Sequence, residues 1–381
     1  MENKNIIILG GYGNFGKRIA ENLLDLPNVS ILISGRSYEK ANDLCVQYEK
    51  LKPATKLKPA KLDINSPTFD QELACLNPFL VIHTSGPFQG QSYTVPQACI
   101  STGSHYIDLA DDRRFVCDIN QLNSAAEENN VLVVSGASSV PGLSSTVVDH
   151  YLPQFEQLKI IDFAISPGNK AERGEATIKA ILSYTGHPFK VLRNKAWINV
   201  FGWGESRKRC FGGSIGSRWL ANIDIPDLEL FPNRYPSAET VHFQAGLEVS
   251  LLHHGMSLMS KIVQLKLIKN WAPLTKWIVK GSELLLPFGT DNGGMQVTLK
   301  GIGKNERPLQ IDWTLFAEDG VGPYIPIIST IILAKKLIND SIQETGAMAC
   351  QGMYSLDEFD HYANQWGIFH TEESYEQKEI R

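Results

Sequence analysis

Glycines near the N-terminus have the spacing of a dinucleotide-binding loop. The pattern G-x-G-x-x-G runs over Gly11-Tyr12-Gly13-Asn14-Phe15-Gly16, directly after the apolar run Ile6–Leu9 and at the start of a helical pattern. There Gly11 permits a tight turn, Gly13 lets the backbone approach a pyrophosphate, and Gly16 lets the helix pack close to the strand. Asn14 and Phe15 begin that helix, whose free N–H groups favour an anion. The pattern therefore predicts a cofactor site at these positions, and a purely structural glycine turn is the alternative.

The end of the second predicted strand indicates which nicotinamide cofactor binds. An NAD-selective fold usually carries Asp or Glu about 20 residues after the glycines, where it binds the ribose 2′-hydroxyl. Here the strand ends in Gly35-Arg36-Ser37, without a carboxylate. The Arg36 guanidinium and the Ser37 hydroxyl could both donate hydrogen bonds to a 2′-phosphate. We predict NADP in preference to NAD, and the alternative is that Arg36 is only a solvated surface residue.

Two later strand ends add candidate contacts. Asp63 closes the third predicted strand and could either bind the adenine amino group or cap the following turn. The loop after the fourth strand lies at the edge where ligands bind in parallel sheets. Its candidate contacts are Thr84, Ser85 and Gly86 for the cofactor and Pro87 and Phe88 for the substrate. A simple strand-to-helix turn is the alternative for this loop.

Carboxylates around the end of the fifth predicted strand are the candidates for proton transfer. Asp108 lies on this strand, and Asp111 and Asp112 follow it. A hydride-transfer enzyme needs a group that gives or takes a proton beside the nicotinamide. Two close carboxylates also raise the pKa of one of them towards a useful value. We predict catalytic roles for Asp108 and Asp111, and the alternative for Asp111 and Asp112 is that they cap the next helix.

Candidate substrate contacts lie at the end of the predicted sheet and beyond it. The hydroxyls of Ser138 and Ser139, after the last strand, could orient a substrate or simply form a loop. A substrate with several carboxylates would need convergent arginine or lysine side chains. The arginines considered in the second region are Arg173, Arg207, Arg209, Arg218 and Arg234. We include Arg173 among the predicted substrate contacts.

Alternating strands and helices must position the residues of the first region. The predicted strands are Asn5–Leu9, Val29–Ser34, Thr55–Leu62, Leu80–His83, Tyr106–Leu109 and Val131–Ser135. The helical stretches between them are Asn14–Leu26, Tyr38–Leu51, Tyr93–Thr102 and Asp118–Asn129. Near-continuous apolar strands are typical of a parallel sheet covered on both faces. The pattern predicts an α/β protein whose N-terminal domain is a doubly wound parallel sheet of the Rossmann type.

The chain beyond residue 140 has a different pattern. Met295–Lys300 and Leu309–Phe316 flank a turn-rich stretch and predict a hairpin, and Ile325–Ile338 predicts an amphipathic helix. We expect a second, α+β domain with an antiparallel sheet. The predicted segments are residues 1–140 as the NADP-binding domain, 141–325 as a substrate and dimerisation domain, and 326–381 as a C-terminal helical segment that returns to the Rossmann domain.

The composition is that of a globular protein of the cytoplasm. The 381 residues are 43% hydrophobic and carry a formal net charge of −5, which supplies no overall reason to bind nucleic acid. Six scattered cysteines without a C-x-x-C pair or a metal-ligand spacing indicate a reduced protein with no metal site. No secretory signal or transmembrane span is expected.

One apolar segment raises the question of a surface partner. Trp271–Phe288 contains two tryptophans and four leucines, but Pro273 and Pro287 interrupt the polar and apolar faces that an interfacial membrane helix needs. We expect a buried helix or a dimer surface, and hence a homodimer. Peripheral membrane contact is the less favoured alternative.

Several of these motifs in combination resemble the saccharopine dehydrogenase-like oxidoreductase family. The matching runs are Gly10–Gly16, Gly35–Ser37, Ser85–Phe88, Ala98–Ile100 and Gly103–Leu109. Further on, Gly174–Thr177, Phe243–Glu248 and Asp319–Tyr324 are similar to less characterised members. The resemblance implies a Rossmann domain, an α+β domain and a C-terminal helix that returns to the first domain. It also implies nicotinamide-dependent oxidoreduction, with the C–N bond of an amino-acid-derived adduct, and lysine metabolism, as the prototype.

Three functions remain open on the sequence. The first is an NADP-dependent oxidoreductase acting on such a C–N bond, which convergent arginines would favour. The second is an NADPH-dependent carbonyl or aldehyde reductase, which an apolar pocket would favour. The third is a cofactor-binding scaffold without turnover, which a blocked nicotinamide site would favour.

Overall fold

The chain folds into two compact units, which a computed structural model describes for residues 3–172 and 174–376. The first unit contains residues up to Gly142 together with Tyr324–Tyr354, and the second contains Leu143–Pro323 together with residues from Ser355 onwards. The strands of the described residues are β1 (Lys4–Leu9), β2 (Val29–Gly35), β3 (Lys56–Lys61), β4 (Leu80–His83), β5 (His105–Asp108), β6 (Leu132–Ser135), β7 (Phe155–Ser166), β8 (Pro188–Arg193), β9 (Ala196–Phe201), β10 (Arg207–Cys210), β11 (Ser217–Asn222), β12 (Thr240–Ala245), β13 (Gly293–Gly303), β14 (Pro308–Ala317), β15 (Gly346–Ala349) and β16 (Phe369–Glu376). The α-helices are α1 (Asn14–Glu21), α2 (Tyr38–Glu49), α3 (Phe69–Cys75), α4 (Thr94–Ser101), α5 (Arg113–Cys117), α6 (Asn123–Glu128), α7 (Ser144–Tyr151), α8 (Glu175–Tyr184), α9 (Asp227–Arg234), α10 (Ser250–Gln264), α11 (Thr275–Glu283), α12 (Ile325–Ile338) and α13 (Leu356–Ala363).

The first unit is built on a parallel sheet, which confirms the predicted α/β class and its doubly wound domain. Within the described residues its strand order is β15-β6-β5-β4-β1-β2-β3. The central strand β1 is covered on both faces, since Ile6, Ile7 and Ile8 are all fully buried. It pairs with β2 on one side and with β4 on the other. The connections therefore diverge from β1, and ligands of such sheets bind in the crevice at this switch point.

Two features of this unit differ from the sequence-based expectation. Helix α1 ends at Glu21 rather than Leu26, because Asn22 caps it by donating from its side-chain amide to the Arg18 carbonyl at 2.8 Å. Helix α12 occupies the predicted range but is not amphipathic. Residues on all its faces are buried, including Ser329 and Thr330. The helix therefore lacks the polar face that an amphipathic helix turns towards solvent.

The second unit has a mixed sheet with the order β10-β11-β12-β7-β13-β14-β16 among the described residues. The predicted hairpin is present as the antiparallel pair β13 and β14. The sequence predicted an antiparallel sheet. The observed sheet is mixed instead, because β12 runs parallel to β7. Its core includes Phe163 of β7, which packs on Phe243 of β12 and Phe231 of α9 with ring centroids 4.9 and 5.6 Å away.

The C-terminal residues divide between the units. Helix α12 and strand β15 belong to the first unit, whereas α13 and β16 belong to the second. Strand β16 pairs with β14 over its whole length, although the sequence analysis assigned all of 326–381 to a helical segment of the Rossmann domain. Most β16 side chains are exposed. An edge strand without a buried face has no period-two apolar pattern, and only its backbone pairing defines it.

The segment Trp271–Phe288 is mostly exposed, which rules out the buried helix, while the alternative of a dimer surface stays a prediction. Trp277, Leu284 and Phe288 are 74%, 77% and 74% exposed. Helix α11 lies between Pro273 and Pro287, so neither proline interrupts it. Among the described residues, no helix is both long enough and apolar enough to cross a membrane.

Candidate functional site

Four glycines shape the loop between β1 and α1, each under a different constraint. Gly10, rather than Gly11, has the positive φ of +75° that makes the turn. A Cβ atom at Gly11 would lie 2.9 Å from the Ile8 carbonyl oxygen, and one at Gly16 would overlap the Gly10 carbonyl oxygen. Gly13 is exposed, and a Cβ atom there would meet only the Gly10 carbonyl oxygen, at 3.0 Å. Gly11 and Gly16 are therefore required by the fold, whereas Gly13 is exposed and has a single close neighbour.

The N-terminus of α1 has the features that a pyrophosphate needs. Gly13 is its N-cap residue, no side chain caps the helix, and its first turn contains no acidic residue. Amide N–H groups and the helix dipole therefore favour an anion here. The predicted contact Asn14 has its side-chain oxygen held by the Arg18 guanidinium, and Phe15 is half-buried. These two residues could thus serve the site through their backbone.

Tyr12 connects the glycine loop to the end of β2, which the sequence analysis did not foresee. Its hydroxyl accepts a hydrogen bond from the Ser37 backbone N–H at 3.0 Å. Its ring lies against Gly35, where a Cβ atom would come within 2.6 Å of it. Gly35 is therefore glycine because Tyr12 occupies the side-chain space. The signal in the sequence is an aromatic residue inside the fingerprint.

The predicted 2′-phosphate site contains an available guanidinium. Arg36 is exposed, and its side chain pairs with no described residue. The β2–β3 register places Lys61 beside Gly35, which adds a second exposed cation that sequence reasoning missed. The Ser37 hydroxyl is already engaged, because it caps α2 and donates to Glu39 at 2.8 Å. Arg36 and Lys61 are thus better placed than Ser37 to hold a phosphate.

Asp63 forms a turn at the end of β3. Its Oδ1 atom accepts a hydrogen bond from the Asn65 backbone N–H at 3.0 Å. This is the capping role that the sequence left open for it. A contact to adenine stays a prediction.

The loop after β4 lies against the glycine loop. The Thr84 hydroxyl donates to the Leu9 carbonyl at 2.8 Å, and a Cβ atom at Gly10 would lie 2.8 Å from the Ser85 hydroxyl. Gln91 holds the loop from behind by donating to the carbonyls of Ser85 and Pro87 at 2.9 and 2.7 Å. The two loops of the switch point are therefore adjacent.

The remaining residues of this loop differ in exposure. Gly86 is exposed, and a Cβ atom there would make only ordinary contact with Phe88, at 3.7 Å, while Pro87 is half-buried. Phe88 is buried against Phe115 and His83, with ring centroids 5.2 and 5.0 Å away. This packing makes Phe88 a support of the loop, whereas the sequence analysis nominated it as a substrate contact. Burial also lowers the pKa of His83 to about 3, so this histidine is neutral.

Asp108 is fully enclosed at the C-terminal end of β5. Its Oδ1 atom accepts hydrogen bonds from the backbone N–H groups of Ala110 and Gly136 at 2.9 and 2.8 Å and from the Ser135 hydroxyl at 3.0 Å. Burial raises the pKa of Asp108 to about 6, although these hydrogen bonds favour the charged form. The Asp108 carboxylate therefore connects the end of β5 to the end of β6. This role is structural and does not depend on any part that Asp108 plays in catalysis.

Asp111 and Asp112 differ, although they are adjacent. Asp112 caps α5 by accepting a hydrogen bond from the Phe115 backbone N–H at 2.8 Å. Asp111 is exposed to solvent, although desolvation by its neighbours raises the pKa of its carboxyl, and its only hydrogen bond to a described side chain comes from Gln89 at 3.3 Å. The cap alternative thus holds for Asp112 and not for Asp111. Of the two predicted catalytic carboxylates, Asp111 is the accessible one.

The predicted substrate contacts after β6 are partly accessible. Ser138 and Ser139 are half-buried. The Ser138 carbonyl accepts a hydrogen bond from Ser329 of α12 at 3.1 Å, which fixes this loop within the first unit. Arg173 lies outside the described residues.

The described arginines nominated in the second unit are all paired with its own carboxylates. Both carboxylate oxygens of Asp162 accept from Arg207, at 2.7 and 2.8 Å, and one also accepts from Arg209 at 3.2 Å. Arg218 pairs with Glu248 at 3.1 Å, and Arg234 pairs with Asp149 at 2.7 Å. Burial alone would raise the pKa of Asp162, but the hydrogen bond from His242 and the charges of Arg209 and Arg207 hold it well below its usual range. These arginines stabilise the unit itself.

No group of His, Cys, Asp and Glu side chains among the described residues could hold a metal ion. The groups described at the switch point are backbone amides, hydroxyls, the accessible carboxylate of Asp111, and the cations Arg36 and Lys61 at the ends of β2 and β3.

Residues 6–134 match the family model of the saccharopine dehydrogenase NADP-binding domain. The N-terminal domain belongs to that family. Its cofactor is NADP, which confirms the cofactor predicted from Gly35-Arg36-Ser37. The match covers about a third of the chain, and it supports an NADP-dependent oxidoreductase at the level of this domain.

Solved structures extend the likeness beyond this domain. Apo histidine-tagged saccharopine dehydrogenase (L-Glu forming) from Saccharomyces cerevisiae is 14% identical, with a TM-score of 0.67 over 98% of this chain and 100% of that chain. At this identity the likeness shows a shared fold. A short-chain dehydrogenase from Mycobacterium smegmatis is 12% identical, with a TM-score of 0.30 over 35% of this chain and 75% of that chain, which is too partial to bear on function. No curated protein matches the sequence.

Proposed function

We propose that this saccharopine dehydrogenase-like oxidoreductase reduces a carbonyl group in a substrate that does not carry several carboxylates. The observation that supports it is the pairing of Arg207, Arg209, Arg218 and Arg234 with carboxylates of the chain. A substrate such as an adduct of two amino acids presents several negative charges at once. Arginines already neutralised by the protein offer such a substrate little net attraction, and breaking the more buried of these pairs, that of Arg218 with Glu248, would be costly.

The chemistry divides between the cofactor and this chain. NADPH, when bound, supplies a hydride to the carbonyl carbon. The chain must then deliver one proton to the carbonyl oxygen, which completes the conversion of C=O to CH–OH. Asp111 is our proposed donor, because it is the exposed carboxylate among the strand ends of the first unit. The predicted role of Asp108 in proton transfer stays a second proposal, since its enclosure leaves no direct path to a substrate.

Reduction at a C–N bond of an amino-acid-derived adduct is the second candidate. It is favoured by the family of the N-terminal domain and by the fold shared with saccharopine dehydrogenase over 98% of the chain. Arg173 would be its substrate contact. Lysine metabolism belongs to this candidate, while the cytoplasmic location and the homodimer stay predictions of the sequence analysis.

Substrate-dependent consumption of NADPH separates the candidates. The purified chain is incubated with NADPH and either aldehydes and ketones or pairs of an amine and a 2-keto acid, and the loss of NADPH absorbance is followed. We expect turnover with carbonyl compounds alone. Turnover that requires both an amino acid and a keto acid would establish the C–N reaction instead, and tight NADPH binding without any turnover would favour a scaffold.

The role of Asp111 is tested on the substrate so identified. Asp111→Asn should lower turnover by about 10²–10⁴-fold, the usual contribution of a positioned acid, while NADPH affinity changes little. The matched control is Asp70→Asn, an exposed aspartate on α3. Equal turnover in both variants would exclude Asp111 as the donor.

A further inference from the structure

The segment that contains α10, α11 and the turns beside them carries most of the large hydrophobic side chains exposed among the described residues. Nine of the 16 large hydrophobic side chains exposed among the described residues lie between residues 251 and 288. We use the name apolar face for these nine residues, which share one exposed segment of the chain: Leu251, Leu258, Leu265, Leu267, Leu274, Trp277, Leu284, Leu286 and Phe288. A tenth of the chain thus contains more than half of these exposed side chains. Such concentration is typical of an interaction site.

The helical period explains why this face is separate from the core. Leu251, Leu258 and Leu265 are seven residues apart and form one stripe along α10. The buried residues of the same helix, His253, Met256, Ser260 and Val263, form a different stripe. Along α11, Trp277 and Leu284 are also seven residues apart. Each helix therefore has an exposed apolar stripe in addition to the face that packs inward.

The connection between the two helices is well anchored. The Trp271 indole N–H donates to the Met259 carbonyl on α10 at 3.0 Å, and the Trp271 backbone N–H donates to the Leu182 carbonyl on α8 at 3.4 Å. The buried Thr275 hydroxyl donates to the Ala272 carbonyl at 2.6 Å. The exposed residues thus project from packed structure.

The charge of this region is opposite to that of the whole chain. The lysines of residues 250–288 are Lys261, Lys266, Lys269, Lys276 and Lys280, and Glu283 is the single acidic residue there. All five lysines are exposed, and none forms an ion pair with a described residue. The segment carries a formal charge of +4, whereas the chain carries −5. Lys280 lies between Trp277 and Leu284 on the same stripe of α11.

We propose that the apolar face and its lysines bind the surface of an anionic lipid bilayer. Apolar side chains inserted at the headgroup boundary combined with lysines attracted to anionic lipid are the two contributions that hold a helix in a membrane interface. A second copy of the chain fits less well, because a two-fold interface would bring the same unpaired lysines together. This binding goes beyond the proposed reductase activity and does not depend on it.

Vesicle flotation with the full chain tests the proposal. We expect the protein to float with vesicles of phosphatidylcholine and phosphatidylglycerol, to bind pure phosphatidylcholine vesicles less, and to be released by high salt. The double variant Lys276→Gln/Lys280→Gln should partition about 25-fold less, at about fivefold for each lysine. Trp277→Ser/Leu284→Ser should float with neither kind of vesicle.

Matched controls and self-association complete the test. Lys56→Gln/Lys58→Gln and Val46→Ser/Leu51→Ser change exposed residues of the same types in the first unit and should bind like the native chain. The substituted side chains are exposed, so thermal unfolding should be unchanged in every variant. Failure of the native chain to float with anionic vesicles, or equal losses in the controls, would overturn the proposal. A dimer in vesicle-free solution that dissociates in Trp277→Ser/Leu284→Ser would assign the face to self-association instead.

Discussion

Two arginine sites, one in each unit of this protein, differ in whether the guanidinium is already paired. In the first unit Arg36 has no partner among the described residues, and the nearby N-terminus of α1 has neither a side-chain cap nor an acid. In the second unit Asp162 alone engages both Arg207 and Arg209. An unpaired cation beside free backbone amides is available to an anionic ligand, whereas a paired cation mainly stabilises the fold. An arginine in a predicted substrate domain can therefore be proposed as a substrate contact only once its ion-pair partners are known.

The largest effect should follow from closing the anion site of the first unit. Gly13→Val places a side chain where the pyrophosphate would approach, while only the Gly10 carbonyl is near. Losing two charge-assisted hydrogen bonds at about 1.5–3 kcal/mol each would weaken NADPH binding about 10²–10⁴-fold. Calorimetric titration measures it, with Gly255→Ala on α10 as the control, because that exposed glycine has open space for a Cβ atom. Normal binding by Gly13→Val would mean that this glycine is not a cofactor contact.

The paired cluster of the second unit should show its effect in stability. Asp162→Asn leaves Arg207 and Arg209 without their carboxylate, and breaking a buried pair costs about 3–5 kcal/mol. We expect a loss of stability near the lower value, because Arg207 is 41% exposed. Urea unfolding of the variant and of the exposed control Asp43→Asn measures the difference.

The pH dependence of this difference follows from the lowered pKa of Asp162. The carboxylate stabilises the fold above its unfolded pKa of about 3.9, and this stabilisation is lost as the pH falls towards the folded pKa. The difference in the free energy of unfolding between the native chain and Asp162→Asn should therefore stay constant from neutral pH down to about 4 and become smaller below pH 4. A gap that narrows already near neutral pH would contradict the assignment to Asp162.

Asp108 should show the opposite pH dependence. Its folded pKa of about 6 lies above the usual 3.8, so the folded state binds the proton more tightly. As the pH rises from about 4 to about 7, the native chain should lose roughly 3 kcal/mol of stability relative to Asp108→Asn. Urea unfolding of both proteins at several pH values checks this. Parallel curves would show that Asp108 is ionised in the fold like an ordinary aspartate.

The smallest predicted effect concerns cofactor preference. Arg36→Ala should weaken NADPH by about 10–100-fold, since one charge-assisted hydrogen bond contributes about 1.5–3 kcal/mol. NADH, which lacks the 2′-phosphate, should bind as before. Lys61→Ala should reduce the preference further, and Lys40→Ala, an exposed lysine of α2, is the control. An unchanged ratio of the two affinities in Arg36→Ala would remove Arg36 from the phosphate site.

Local sequence patterns were a good guide wherever the structure is itself local. The glycine spacing identified the loop before α1, and the predicted ranges of β4 and α12 agree with the observed ones. Asp112 and Asp111 stand side by side, yet only Asp112 caps a helix. The sequence could not separate them, because a cap depends on backbone dihedral angles and not on residue type alone.

Residues that act through distant neighbours were missed. Tyr12 is important because its ring covers Gly35, and Lys61 because the β2–β3 register sets it beside that glycine. Strand β16 escaped notice because it is an exposed edge strand that only pairing with β14 defines. The exposure of Trp277 and Leu284 contradicted a pattern that looked like a buried helix, since apolar periodicity does not reveal which side of a helix is covered.

Residue types and spacings were enough to predict the parallel sheet of the first unit, its glycine loop and, from the lack of a carboxylate at the end of β2, the NADP cofactor. These depend on residue types and spacings within a few turns of backbone. Tertiary packing was needed to show that Gly10 makes the turn, that Asp108 is enclosed while Asp111 is exposed, and that Arg207, Arg209, Arg218 and Arg234 are paired. The physical reason is that burial and ion pairing join residues far apart in the chain, as Arg209 and Asp162 are, and no local pattern records such a distance.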